Sequence, residues 1–135
     1  MTRFESDYFQ KFKFTPSQIT RYLDGALRDL EIAQKDKFSE VRFTYSYQAL
    51  IKAGITLIAK TGRVRVKSAT GHHVKIMEKM SEILRNPDIM TIGNAMRMKR
   101  NYDLYGGGES ISEKEADDYL KFVEQVFQMV QKELH

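Results

Sequence analysis

Apolar residues along this chain recur mostly three and four positions apart, the spacing of a helix face, and they seldom alternate. Ile19, Tyr22, Leu23, Ala26, Leu27, Leu30 and Ala33 trace one face of a helix that ends near Lys35. Thr15-Pro16-Ser17-Gln18 marks its start. A hydroxyl caps the free N–H groups, a proline takes the first helical position, and a glutamine is placed to bond back to the cap. A second helix is predicted from about Phe38 to Lys60, stopped by Gly62. Phe43, Tyr47, Leu50, Ile51, Leu57 and Ile58 share one broad side of it. Val41, Tyr45, Ala49, Ala53, Ile55 and Ala59 make much of the remainder apolar, which places this helix at the centre of a bundle. A third helix is expected over about His72 to Leu84, with Val74, Met77, Met80 and Leu84 inward. Asn86-Pro87-Asp88 breaks the chain and opens a fourth, which runs through Ile92 and Met96 to about Tyr105, where Gly106-Gly107-Gly108 stop it. Ser112-Glu113-Lys114-Glu115 is a capping box for a fifth, whose buried face is Ala116, Tyr119, Leu120, Val123, Phe127, Val130 and Leu134. The pattern predicts an all-α, up-and-down bundle of four to five helices, with residues 15–135 as one domain.

Two stretches depart from this pattern. In residues 1–14, Phe4, Tyr8, Phe9, Phe12 and Phe14 crowd together with Arg3, Lys11 and Lys13. Phe4, Tyr8 and Phe12 are spaced as one helix face would be. This aromatic and basic N-terminal arm is expected to pack onto the bundle or onto a second subunit. The other stretch, Arg63-Val64-Arg65-Val66-Lys67, alternates with period two and reads as a short hairpin arm or an extended loop.

Composition narrows the classes. A chain of 135 residues, 41% hydrophobic and 30% charged, has a globular composition and the length for one core without disulfides or metal. No apolar run approaches the ~18 residues that would span a bilayer, so no membrane partner is expected. The first residues, Met1-Thr2-Arg3-Phe4-Glu5-Ser6-Asp7, are polar and unlike a signal peptide. With no cysteine there are no disulfides and no thiolate nucleophile, which agrees with a cytoplasmic location. The net charge of +4 is unevenly spread. Lys60, Arg63, Arg65, Lys67 and Lys75 fall in a stretch without an acid, and Arg97, Lys99 and Arg100 form a second one. Such local excess favours anionic partners such as RNA, DNA or nucleotides. There is no phosphate-loop motif, no nucleophile elbow and no dinucleotide fingerprint.

The residues richest in chemistry lie at the end of the fourth helix. At about 100° per residue, Arg97, Arg100, Asn101, Leu104 and Tyr105 fall within about 140° of one another, while Ile92, Ala95 and Met96 lie on the other side. Two guanidinium groups, an amide and a phenol along one edge suit a phosphate, since guanidinium stays charged and offers parallel donors. Arginines also sit favourably at a helix C-terminus for dipole reasons alone. His72 and His73, the internal histidines, stand beside the basic loop at the start of the third helix. Either one of them faces the Arg100 cluster, or both are ordinary helix-start residues, one exposed and one packed. Adjacent imidazoles do not easily place both rings on one ion, so no metal site is expected, and no cofactor is implied.

Arg100-Asn101, the layout of the helices and the Gly71-His72-His73 element together resemble the HEPN superfamily of helical bundles, in its bacterial single-domain form, over residues 16–134. Many members carry an arginine, often followed by asparagine, and then a histidine near the end of a late helix. Position 105, where a histidine would complete Arg-x4-His, is Tyr105. The resemblance implies a homodimer whose two motif edges line one cleft, with RNA as a partner. It also implies a toxin–antitoxin or defence setting, often with a nucleotidyltransferase partner. In HEPN ribonucleases the arginine and histidine act without metal on an RNA phosphodiester: the 2′-hydroxyl attacks phosphorus, the histidine moves a proton and the arginine stabilises the added charge. A phenol with a free pKa of ~10 can donate a hydrogen bond but is a weak base at neutral pH. Two expectations follow. One is a binding module with Arg97, Asn101, His72, His73, Arg63, Arg65 and Lys67 as its binding residues. The other is a metal-independent endoribonuclease with Arg100 and Tyr105, or a histidine from positions 72–73, as its catalytic groups.

Overall fold

The computed structural model of the chain describes residues 2–105 and 111–135, and the side chains of all of these except 103–105. Five helices carry the fold: α1 (Pro16–Lys35), α2 (Ser39–Gly62), α3 (His72–Leu84), α4 (Asp88–Tyr105) and α5 (Glu113–Leu134). The architecture is the expected all-α bundle, with one small two-stranded sheet added at its edge. Both expected capping boxes form. The Thr15 and Ser112 side chains accept from the backbone N–H of Gln18 and Glu115, whose side chains accept in return from the cap N–H groups. The glycine stop expected at Gly106-Gly107-Gly108 lies outside the described residues.

α2 is the central helix and packs against all four others. Phe43, Tyr47, Leu50, Ile51, Leu57 and Ile58 are all buried, as are Ala49, Ala53 and Ala59. α1 and α5 cover it with Ala26, Leu30 and Ala33 on one side and Ala116, Leu120, Val123, Phe127 and Val130 on the other. Tyr22, expected on the inward face of α1, is instead 40% exposed. Its ring packs edge-on against Phe14 at the rim of a groove.

Glycines set how closely the helices approach. A Cβ at Gly54 would lie 2.5 Å from Ile76 Cγ2 and from Met80 Sδ, so α3 rides directly on the backbone of α2. A Cβ at Gly93 would lie 2.5 Å from Met77 Sδ, which draws α4 onto α3. At Gly62 the reason is also steric: a Cβ would meet the Phe4 ring at 2.6 Å. The left-handed residue that ends α2 is not this glycine but the next one, Arg63, with φ 54°.

The N-terminal arm is not a helix. Phe9–Lys11 forms a strand, β1, which pairs antiparallel with β2 (Val64–Val66) in the register Phe9–Val66, Gln10–Arg65 and Lys11–Val64. The alternating segment is therefore neither a hairpin of its own nor a loop. Its partner strand comes from the N-terminal arm, distant in sequence, which periodicity within a short window does not reveal. Phe9 enters the core beneath this pair, its ring edge-on to Phe4. Ionic contacts fasten the arm to α3: Lys79, 3% exposed, lies 2.6 Å from Glu5, and Lys75 lies 2.8 Å from the same carboxylate.

Candidate functional site

Packing of α3 and α4 around the buried Tyr47 of α2 assembles the polar cluster of the molecule. Tyr47 is 1% exposed, and a phenol buried so deeply needs a polar partner for its hydroxyl. The partner is His73: its Nδ1 lies 2.9 Å from the Tyr47 oxygen, and the two rings are 5.6 Å apart. From the other side Arg100 lies over the Tyr47 ring, its guanidinium carbon 5.5 Å from the ring centroid, a cation–π contact. Arg97 sits one turn earlier on α4, and its Nε–H donates to Asn94 Oδ1 at 3.0 Å. The His72 ring meets that of His73 edge-on at 4.4 Å, and His72 Nδ1–H donates to the Ala69 carbonyl at 2.8 Å. That bond commits Nδ1 of His72 to carrying a proton.

The field in this cluster has one sign. Burial, then the charges of His72, Arg100 and Arg97, push the His73 imidazole down to about 4. It is therefore neutral at pH 7, with a proton on one ring nitrogen and a lone pair on the other. Burial pushes the Tyr47 phenol up to about 12, with Arg100 and Arg97 acting in the opposite sense. Among the described residues, neither arginine is ion-paired to a carboxylate. The arrangement is a buried phenol and a half-buried neutral imidazole, Tyr47 and His73, bordered by two cations. It suits an anion, and an anion bound there would raise the basicity of the imidazole.

The expected residues divide between two places. Arg97, Arg100, His72 and His73 come together, and the histidines divide their roles as one pinned to the loop and one packed on α2. Asn101 is half-buried on the same helix as the arginines, next to Arg100. The side chain of Tyr105 lies outside the described residues. Arg65 and Lys67 line a separate groove formed with α1 and α2. Arg63 is exposed at the end of α2, where its carbonyl accepts from the Phe12 N–H. Tyr47 escaped the sequence reading as a site residue because its position on a buried face marked it only as core. The signal available was its hydroxyl, which no apolar neighbour could satisfy. Among the described residues no group of three His, Cys, Asp or Glu is placed to hold a metal ion. No helix there is long and apolar enough to cross a membrane. Comparison of the chain with protein-family models, with curated proteins and with solved structures finds no match.

Proposed function

We propose that this chain is a HEPN-like helical module that binds RNA phosphates along the α3–α4 edge and works as a homodimer. The observation that carries this reading is the cationic setting of His73: Arg100 lies over the Tyr47 ring that holds it, Arg97 sits one turn away, and neither arginine has a carboxylate partner among the described residues. Guanidinium groups with no carboxylate among the described residues, set beside a buried phenol and a neutral imidazole, gain most from a phosphate, which each can take with two parallel hydrogen bonds. Pairing with a second copy has support on α4. Thr91, Ala95, Met98 and Tyr102 follow one another at helical spacing and are all exposed, Met98 by 59% and Tyr102 by 61%. A nucleotidyltransferase partner and a defence role rest on the HEPN resemblance alone.

A second reading, a metal-independent endoribonuclease, is favoured by the placement of His73 beside Arg100. In the tautomer whose Nδ1–H donates to the Tyr47 oxygen, Nε2 keeps its lone pair to take a proton from a ribose 2′-hydroxyl, and Arg100 would meet the charge gathering on phosphorus. Binding of single-stranded RNA, measured against salt concentration, tests the first reading. Arg97→Ala and Arg100→Ala should each lower affinity and reduce the salt slope by about one. Unchanged affinity in both variants would sink it. Cleavage of the same RNA in EDTA, lost in Arg100→Ala and His73→Gln, would favour the enzyme over the binding module.

A further inference from the structure

A second cationic site lies on the opposite side of α2. Lys52 and Gly54 are two residues apart, about 200° round the helix. Gly54 faces α3, so Lys52 faces away from it, into a groove closed by α1 and β2. The groove has a volume of about 730 Å³, within the range that encloses small organic ligands. Arg21, Lys52, Arg65 and Lys67 line it, and no acidic residue does.

Three of these cations are held in place. Arg65 Nε–H donates to Gln10 Oε1 at 2.9 Å, and its guanidinium lies 5.5 Å from the centroid of the Phe12 ring. Lys67 Nζ donates to the Ser6 carbonyl at 2.8 Å. Both contacts orient a charge without neutralising it. Lys52 is the exception, paired with the buried Asp29 at 2.8 Å. Ile55 and Val66 form an apolar floor, the half-exposed ring of Tyr22 stands at the rim, and Gln10 and Ser68 complete the lining as neutral polar groups.

Gly25 adds an independent observation. It lies in the middle of α1, where glycine costs about 1 kcal/mol relative to alanine. At Gly54, Gly62 and Gly93 a neighbour at 2.5–2.6 Å explains the missing side chain. At Gly25 a Cβ would meet nothing within 4 Å, and the residue lines the groove. The helix-weakening residue leaves room in this groove and relieves no clash.

We propose that this groove binds a nucleotide unit, its phosphate on Arg21, Arg65 and Lys67 and its base on Tyr22 and the apolar floor. Exposed aromatic faces accept bases without sequence preference, and oriented cations take the phosphate. The unit is either a free mononucleotide or the phosphorylated end of an RNA. The site is separate from the α3–α4 edge, so the two readings stand or fall apart.

Calorimetric titration with AMP, adenosine and inorganic phosphate tests it. AMP should bind, with adenosine and phosphate each weaker by about tenfold or more, since each keeps only half of the contacts. Gly25→Leu should abolish AMP binding while leaving the thermal midpoint unchanged or raised, because leucine fills the groove and favours the helix. Arg65→Gln should weaken AMP about tenfold by removing one charged phosphate contact, and Arg100→Ala should leave it unchanged. A short single-stranded RNA, with and without a 5′-phosphate, separates the two sources. If only the phosphorylated strand displaces AMP, the groove also takes an RNA end; if neither does, it takes the free nucleotide. The proposal is overturned if AMP and the phosphorylated RNA both fail to bind at about 1 mM. Binding that survives Gly25→Leu and Arg65→Gln, or is lost in Arg100→Ala, overturns it too.

Discussion

At His73, burial and the neighbouring His72, Arg100 and Arg97 act together to keep the ring neutral. A phosphate arriving at Arg97 and Arg100 would cancel part of that field. The imidazole should then regain protons, its pKa rising from about 4 toward the usual 6.5. Histidine side-chain NMR titrations with and without saturating inorganic phosphate measure this directly. An upward shift at His73 is expected, and an unmoved His73 would mean that the anion binds elsewhere. The same side chain shows what could be read of the site beforehand. Arg97 and Arg100 were legible because their spacing on α4 is a local property of the helix. The choice between His72 and His73 was not. It depends on which ring meets Tyr47, a residue about one helix away whose apolar neighbours made it look like plain core. Lys79 was hidden for a related reason. A lysine amid the methionines of α3 reads as surface until Glu5, from the far end of the chain, arrives to pair with it.

Between elements, two glycines govern the assembly of the α3–α4 edge, and they should tolerate change differently. At Gly54 a new methyl meets Ile76 Cγ2, held on a β-branched side chain with little freedom, and Met80. At Gly93 the close atom is the sulfur of Met77, which a flexible side chain can move aside. Gly54→Ala should therefore destabilise by about 1–3 kcal/mol, less the gain in helix propensity. Gly93→Ala should be close to neutral, overpacking and propensity roughly cancelling. Urea unfolding of the two variants checks the order. A Gly54→Ala protein as stable as Gly93→Ala would show that α3 does not ride on α2 as closely as described. Helix number and boundaries were legible because caps and apolar spacing are local. The pairing of β1 with β2 was not, because a strand of three residues declares itself only through its partner. The aromatic arm misled for the same reason. Phe4, Tyr8 and Phe12 keep helical spacing, yet the segment gains more from edge pairing and from lowering Phe9 into the core than from a short isolated helix, which is marginal in water.

Over the whole molecule, the clasp at Glu5 and the cluster at His73 make acid the condition that tests the fold. Lys75, then Lys79, hold the Glu5 carboxyl down at about 2 from an ordinary 4.5. Its contribution is full above pH 4.5 and is lost as pH falls from 4.5 to 2, because the unfolded chain takes up the proton first. His73 has a folded value of about 4 against 6.5 when free. Here too the unfolded state binds the proton more readily, so stability is full above pH 6.5 and declines as pH falls from 6.5 to 4. The two windows overlap between pH 4.5 and 4. Stability should therefore fall continuously from just below neutrality, with each group contributing less than about 1.4 kcal/mol per pH unit because both are partly solvated. Urea midpoints measured from pH 7 to pH 3 separate the two. His73→Gln, which keeps a hydrogen-bonding side chain without a titrating ring, should flatten the decline between 6.5 and 4 and leave the lower part intact. Glu5→Gln should lower stability at neutral pH and flatten the lower part only. If the upper decline persists in His73→Gln, the ring is not held neutral in the fold. In that case neither the one-signed field nor the phosphate reading drawn from it would survive.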